Sequence, residues 1–302
     1  MTITRRHVVA GAVASAAMAG AIRPAGAIII QDSAWRAEGG RPGRERDGFR
    51  AHIALANQPQ FDSLVALSKD NGEEWDDASG TWVGNFGGVG YVLTAAHVYG
   101  GGANAGTYLL RTQGGTVLRA TRMTMHPDYH GDTDNQSGID VAVVRLDRPV
   151  TDAGPPPLLY AGEIRVGTRV VIVGYGSRGL GTTGEQDVYD WPQSNKTACE
   201  NTVDKVTNPD PEPDDDVDDG DVGNWLRVTL RPESEGGSRL DGILGGGDSG
   251  GSAWMRFNGR WVVVGVNASG TGETYGASSY FARLYGVRPW LSSMLPALRF
   301  IP

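Results

Sequence analysis

The chain has 302 residues, with 35 acidic and 27 basic side chains, a formal charge of −8 and 39% hydrophobic residues. This length suffices for one large domain or two modest ones, and the charged fraction of 21% argues against global disorder. The acidic balance gives no electrostatic reason to expect a nucleic-acid partner. A single cysteine, Cys199, excludes an intramolecular disulfide and a cysteine-based metal cluster.

The first 27 residues have the composition of a targeting segment. Adjacent Arg5 and Arg6 precede the apolar stretch 8–22, and Ala25-Gly26-Ala27 supplies the small residues of a cleavage site. The paired arginines and the weak apolar core are similar to a twin-arginine signal, which exports folded proteins. We therefore predict a signal peptide over 1–27 and a secreted or periplasmic bacterial protein. The alternative is an alanine-rich helix packed on the body. Since the segment holds three arginines and no acid, its removal changes the charge to −11.

The mature chain has the pattern of an all-β protein. Its 45 glycines and 16 prolines favour short strands joined by turns. Runs rich in β-branched residues predict strands at Gly90 to Ala95, Asp140 to Leu146, Arg169 to Tyr175, Trp225 to Leu230, Arg260 to Val266 and Ser279 to Leu284. Helical periodicity occurs only from Val287 to Leu298, where Pro296 should end a short terminal helix early. The stiff segment Gly154-Pro155-Pro156-Pro157 predicts two strand-rich halves, 28–154 and 155–302.

Three stretches predict long exposed loops: Gly39 to Asp47, Asp70 to Gly80 and Asn208 to Gly223. The last carries eight carboxylates between Asp210 and Asp221, and their alternate spacing is partly that of a calcium loop. Asp219 stands where that loop needs a glycine, and no glutamate closes it. We therefore expect a solvated charged loop, no metal and no other cofactor. Metal binding by His126 and His130 is also disfavoured, because Pro127 prevents one helical face.

Three short segments carry the chemistry. They are Thr94-Ala95-Ala96-His97-Val98, the strand that begins at Asp140, and the glycine-rich stretch around Ser249. Together they supply a hydroxyl nucleophile, an imidazole base and a carboxylate that can hold the imidazole tautomer. Asp132 and Asp134 are rival carboxylates, but the apolar strand after Asp140 favours that residue as a rigid anchor.

The glycines around Ser249 suit a loop whose amides bind an oxyanion, because no side chain blocks the substrate. We expect the amides of Gly247 and Ser249 to point into one pocket. Residues 247–251 also match the G-x-S-x-G elbow of α/β-hydrolases, a fold that requires its histidine after the serine. No histidine follows Ser249, so chain order excludes that fold.

The ordered motifs TAAHV at 94–98, DVAVVRL at 140–146 and GDSGG at 247–251 closely resemble the trypsin/chymotrypsin-like serine proteases. The likeness extends to HPDY at 126–129, VVVGVNASG at 262–270 and YFARL at 280–284. The resemblance implies two packed six-stranded antiparallel Greek-key β-barrels with a short C-terminal helix. One barrel would contribute His97 and Asp140 and the other Ser249, with His97 as base and acid, Asp140 orienting it and Ser249 attacking the carbonyl.

The same resemblance implies an activation ion pair. In this family a new N-terminal amine inserts beside the aspartate that precedes the nucleophile. Ala27 precedes Ile28, so signal removal itself would free an Ile28 ammonium to pair with Asp248. An unperturbed α-amine titrates near pH ~7.7–8.0, and a carboxylate partner raises that value. The alternative is that Ile28 begins an ordinary apolar strand.

Family spacing assigns substrate contacts to Ile243 at the floor of the primary pocket, to Ala268 and Gly270 along the substrate backbone, and to Ser279 on the opposite wall. Because Ile243 offers no counter-charge, we expect specificity that is not trypsin-like, for a smaller or apolar side chain before the cut.

The sequence therefore predicts an exported, monomeric serine endopeptidase that acts on polypeptides, without nucleic-acid partners or membrane association after signal removal. Two alternatives remain: a catalytically silent protease-like binding protein, and an esterase that uses the same three residues.

Overall fold

A computed structural model describes residues 28–99, 105–131, 138–190, 196–207 and 224–302. The predicted signal peptide, the acidic loop from Asp210 to Asp221 and the rival carboxylates Asp132 and Asp134 lie outside these ranges. No helix in the described ranges is long and apolar enough to span a bilayer.

The described residues are mostly β-structure. The strands are β1 (Ile29–Ile30), β2 (Leu64–Ser68), β3 (Ala78–Phe86), β4 (Val89–Thr94), β5 (Leu109–Arg111), β6 (Val117–Met125), β7 (Ala142–Leu146), β8 (Leu158–Tyr160), β9 (Arg169–Gly174), β10 (Gly179–Leu180), β11 (Gly184–Glu185), β12 (Thr197–Thr202), β13 (Lys205–Thr207), β14 (Trp225–Thr229), β15 (Gly242–Ile243), β16 (Ser252–Phe257), β17 (Arg260–Gly270), β18 (Ser278–Arg283) and β19 (Phe300–Ile301). The helices are α1 (Asp32–Ala37), α2 (Arg50–Ala56) and α3 (Leu284–Met294), with several 3₁₀ turns between strands.

Six antiparallel strands of the first half close into a barrel in the order β2-β3-β4-β7-β6-β5, and β5 pairs back with β2. Strand β2 is buried along its whole length, because it faces the barrel interior on one side and the second half on the other. The interior is filled by aliphatic side chains such as Leu67, Val92, Leu110 and Val144, all fully buried. The predicted all-β fold is confirmed, and its first barrel is closed.

The second half forms a half-barrel sheet, which is consistent with the second barrel of the predicted two-barrel fold. Its strands follow the order β12-β9-β16-β17-β18-β14-β13. Strand β8 pairs in parallel with β17, and β19 pairs in parallel with β8. Within the described residues β12 and β13 do not pair. The outer edge of β12 is instead covered by the segment before β15, through a bridge between Glu200 and Asp241. A four-stranded sheet, β11-β10-β1-β15, packs beside it.

The first described residues belong with the second half rather than with the first barrel. Strand β1 lies parallel to β10 and antiparallel to β15, with Ile29 opposite Gly179 and Ile243. Ile28, Ile29 and Ile30 are all fully buried, and such burial stabilises by roughly 1.5–3 kcal/mol per side chain. The predicted division at residue 154 therefore does not describe this segment, since its apolar partners are supplied by residues far along the chain.

The helices also differ from the sequence prediction. Only a terminal helix was expected, and α3 supplies it, beginning three residues earlier and ending at Met294, before Pro296. Helices α1 and α2 were not expected. Each is shorter than two full turns, too short for an apolar period to show in the sequence. The expected loop from Asp70 to Gly80 ends early, because β3 begins at Ala78.

Candidate active site

His97 lies at the end of a barrel strand. Strand β4 ends at Thr94, and a 3₁₀ turn over Ala96–Tyr99 carries the histidine toward the second half. The Thr94 hydroxyl donates to the Ser79 carbonyl at 2.8 Å, which ties the end of β4 to β3. The His97 side chain keeps 25% of its surface exposed, so the imidazole is held by the barrel and still reachable from solvent.

Asp140 positions His97 through contacts with its backbone and its ring. It immediately precedes the segment leading into β7, and its side chain is fully buried. Its Oδ1 accepts the His97 backbone N–H at 2.9 Å, and its Oδ2 lies 2.6 Å from His97 Nδ1. A carboxylate can only accept, so this contact places the imidazole proton on Nδ1 and leaves Nε2 as the acceptor.

Ser249 completes the arrangement from the second half. It lies in the loop between β15 and β16, and its Oγ is 2.8 Å from His97 Nε2. The structure thus brings together the three side chains that the sequence selected from distant segments, in a continuous hydrogen-bonded series. Such a series can remove a proton from the serine hydroxyl as it attacks an acyl carbon.

Two residues that the sequence analysis missed fix the nucleophile loop. Ser79 in β3 donates its backbone N–H to the Ser249 carbonyl and its hydroxyl to the Gly247 carbonyl, both at 2.8 Å. Asn267 in β17 is fully buried and donates its Nδ2 to the carbonyl of Asp248 at 3.1 Å. Both halves therefore determine the position of Ser249, although neither residue has a motif that would reveal this in the sequence.

The predicted oxyanion amides lie on the same loop. Gly247 has a φ of +81°, and a Cβ on it would lie 1.9 Å from the Asp76 carbonyl oxygen, so only glycine fits. In the part of the chain that the structure describes, the amides of Gly247 and Ser249 donate no hydrogen bond. Two unpaired amides beside a nucleophile are the donor arrangement that stabilises an acyl-transfer oxyanion.

Asp248 is completely buried beside the nucleophile. Its Oδ2 accepts the Gly245 amide at 3.1 Å, and its Oδ1 accepts the Gly176 amide at 3.4 Å. Burial raises the pKa of Asp248 to about 7, although both amides and the Arg178 charge act in the opposite direction. The site therefore lacks a close counter-charge within the described ranges.

Among the described residues, no hydrogen bond or ion pair joins Ile28 to Asp248. Ile28 directly precedes β1, in which Ile29 lies opposite Ile243, and Asp248 accepts the amide of Gly245, two residues after Ile243. Ile28 is fully buried, and its carbonyl accepts the Gly179 amide at 3.4 Å. The predicted activation pair therefore remains a prediction.

A cavity of about 100 Å³ adjoins Ser249. It is lined by Leu244, Gly245, Ser249, Ala268, Ser269, Gly270, Gly272 and Glu273. Ala268 and Gly270 therefore line the cavity, and their contacts with a substrate remain a prediction. Ala268 occupies a register shift between β17 and β18 that leaves it without a partner across the ladder, and such bulges often redirect a strand beside an active site.

The assignments of Ile243 and Ser279 to the pocket are corrected. Ile243 is fully buried in the small sheet opposite Ile29, so Leu244 takes the wall position instead. Ser279 is also fully buried and lies behind the wall, where its Oγ accepts the Leu244 amide at 2.9 Å. The spacing argument failed because the residue that enters the pocket depends on the β1–β15 pairing.

No group of three or more metal-ligating side chains occurs in the described ranges. His126 is used structurally, since its Nδ1 accepts the Asp128 amide at 3.2 Å and its ring packs on Trp290.

The family follows from the fold and from a comparison with known proteins. The family model described as a trypsin-like peptidase domain matches residues 78–266, more than half of the chain. The match includes His97, Asp140 and Ser249. No curated protein matches the chain significantly. The chain therefore belongs to the trypsin/chymotrypsin-like serine protease family, as its motifs predicted, and its peptidase domain supports a function of the serine protease type.

Proposed function

We propose that this protein is a serine endopeptidase that acts through an acyl-enzyme intermediate, with His97, Asp140 and Ser249 as its catalytic residues. The observation that carries the proposal is the continuous contact from Asp140 Oδ2 to His97 Nδ1 at 2.6 Å and from His97 Nε2 to Ser249 Oγ at 2.8 Å. These distances allow proton transfer without rearrangement.

In the first half-reaction, Ser249 Oγ attacks the substrate carbonyl carbon as its proton passes to His97 Nε2. The carbonyl oxygen becomes an oxyanion, which the amides of Gly247 and Ser249 bind. As the oxyanion collapses, the scissile C–N bond breaks and its electron pair stays on the amine nitrogen, which takes the proton from His97. The acyl group remains on Ser249 through the new C–O bond. Water then repeats the sequence and releases the acid. Asp140 stays ionised and stabilises the imidazolium that forms twice in this cycle.

Backbone preorganisation supports the proposed oxyanion site. The nucleophile loop is held by Ser79 from one half and by Asn267 from the other, so its two amides do not need to reorganise when charge develops. Each such donor typically contributes roughly 3–4 kcal/mol to transition-state stabilisation.

We extend the proposal to export and activation. The composition of residues 1–27 supports export through a twin-arginine-like signal, and cleavage after Ala27 would create an amine on Ile28. The position of Ile28 directly before Ile29, which pairs with Ile243, supports an ion pair between that amine and Asp248, whose buried carboxyl lacks a close cation in the described ranges. N-terminal sequencing of the recovered protein tests this: full activity with another N-terminus contradicts it.

Fluorophosphonate labelling tests the catalytic assignment. The wild-type protein should be labelled on Ser249, and the Ser249→Ala variant should not. Absence of labelling in a folded wild-type protein would favour a silent binding protein. Digestion of a peptide library, compared with hydrolysis of ester substrates, then separates an endopeptidase from an esterase.

A further inference from the structure

We propose that Glu273 makes the cavity beside Ser249 selective for a basic side chain, lysine or arginine, at the substrate residue before the cut. This inference rests on the proposed function, because the cavity matters only if Ser249 attacks peptides. It assigns the specificity to a residue that sequence spacing did not select.

The composition of the cavity wall supports a cationic ligand. Among its eight lining residues, Glu273 is the only ionisable one. Leu244, Ala268 and three glycines supply a wall without charge, along which the methylene groups of a long side chain can pack. A carboxylate within such a wall attracts a cation and repels an acidic side chain.

Glu273 is held in place by the β10–β11 hairpin. Its Oε2 lies 3.5 Å from the Glu185 backbone nitrogen, a long hydrogen bond. A Cβ on Gly184 would lie 3.2 Å from Glu273 Oε2 and 3.3 Å from its Cβ, so the glycine leaves the space that this side chain crosses. Glu273 is half-buried, and among the described residues it has no lysine or arginine partner within 4.0 Å. A substrate cation would therefore not displace an internal one.

Glu185 adds a second carboxyl behind this wall. Its Oε1 accepts the Gly246 amide at 2.9 Å, immediately before the proposed oxyanion residue Gly247. Burial raises the pKa of Glu185 to about 9, with further contributions from the charges of Glu273, Asp248 and Asp190. Glu185 is accordingly neutral at pH 7, and Glu273 is the acidic residue that lines the cavity.

The expectation of a small or apolar substrate residue depended on Ile243, which does not reach the cavity. Once Leu244 replaces it in the wall, the missing counter-charge at position 243 no longer argues against basic substrates, and Glu273 supplies a counter-charge from another loop.

A matched set of peptides tests the proposal. The peptides differ only at the residue before the cut, which is lysine, arginine, norleucine or glutamate, and kcat/KM is measured on protein recovered after expression of the full chain. We expect lysine to exceed norleucine, which keeps the apolar stem without the charge, by at least about tenfold, equivalent to ~1.4 kcal/mol. Glu273→Gln should reduce that ratio to within about twofold, whereas the exposed control Glu233→Gln should leave it unchanged. A ratio that Glu273→Gln does not alter, or a wild-type preference for norleucine, overturns the proposal.

A binding measurement separates this inference from the proposed function. The Ser249→Ala variant should bind the lysine peptide at least about tenfold more tightly than the norleucine peptide by calorimetry, and adding Glu273→Gln should abolish the difference. Equal affinity for the two peptides overturns the cation selectivity, even where fluorophosphonate labelling of wild-type Ser249 upholds the catalytic assignment. Selective binding by a protein that labels poorly upholds Glu273 and contradicts the endopeptidase.

Discussion

The effect of Asp248→Asn on stability should reverse sign when the bond between Ala27 and Ile28 is cleaved. In the intact chain Asp248 is buried with a pKa of about 7, against an ordinary value of 3.8. Because its folded-state pKa is raised, the folded state binds the proton more tightly than the unfolded state. Stability is therefore lost as the pH rises from 3.8 through 7. At ~1.36 kcal/mol per pKa unit, the loss at pH 8 is about 4 kcal/mol.

Asp248→Asn removes that loss, so the intact chain should become more stable at pH 8 by up to about 4 kcal/mol and change little at pH 4. Cleavage after Ala27 should also raise the stability of the wild-type protein at pH 8, because an Ile28 ammonium would favour the ionised form of Asp248. In the cleaved protein the same substitution would leave a buried ammonium without its partner, a change that costs ~3–5 kcal/mol in comparable buried pairs. The variant should then be destabilising.

Four proteins are compared: wild type and Asp248→Asn, each in its intact and its cleaved form. Urea unfolding followed by tryptophan fluorescence gives the free energy of unfolding of each at pH 4, 6 and 8. The exposed control Asp128→Asn should have the same small effect in the intact and cleaved chains. If Asp248→Asn shifts stability equally in both chains, Ile28 does not pair with Asp248, and the register argument for activation is refuted.

Three further variants test other contacts. Asp140→Asn should lower kcat by about 10⁴ with the fold retained, because the amide cannot hold the proton on His97 Nδ1; a smaller loss in steady-state kinetics would contradict its assignment. Gly250→Ala should destabilise by about 2 kcal/mol or more and abolish Ser249 labelling, since its φ is +84° and the new Cβ would lie 2.0 Å from Thr94 Oγ1. Burial lowers the pKa of His52 to about 3, so only the unfolded chain takes up this proton above pH 5. The free energy of unfolding should therefore fall by about 2 kcal/mol as the pH falls from 7.5 to 5. His52→Leu should remove that part of the pH dependence of unfolding, and an unchanged slope would show that His52 is not the group responsible.

The fold and the three central side chains could be predicted from the sequence because each depends on local patterns. Apolar β-branched runs identified the barrel strands around His97 and Asp140, and the order of the three motifs identified the family. The structure places those motifs in contact through pairings that follow from the family topology.

The pocket could not be predicted, because its wall depends on long-range register. Leu244 rather than Ile243 faces the cavity since Ile243 is engaged by Ile29, a residue from the other end of the chain. Glu273 comes from the loop between β17 and β18 and Glu185 from β11, and neither carries a motif. The anchoring role of Ser79 likewise arises only when the two halves meet.

Strand β1 has a consequence for biosynthesis. Its two isoleucines leave the ribosome long before β10 and β15, the strands that pair with them. Vectorial synthesis therefore cannot complete the second half in order, and an apolar segment stays exposed in the nascent chain until residue 243 has emerged. The resulting high contact order predicts slow folding, and dependence on a holdase chaperone during translation.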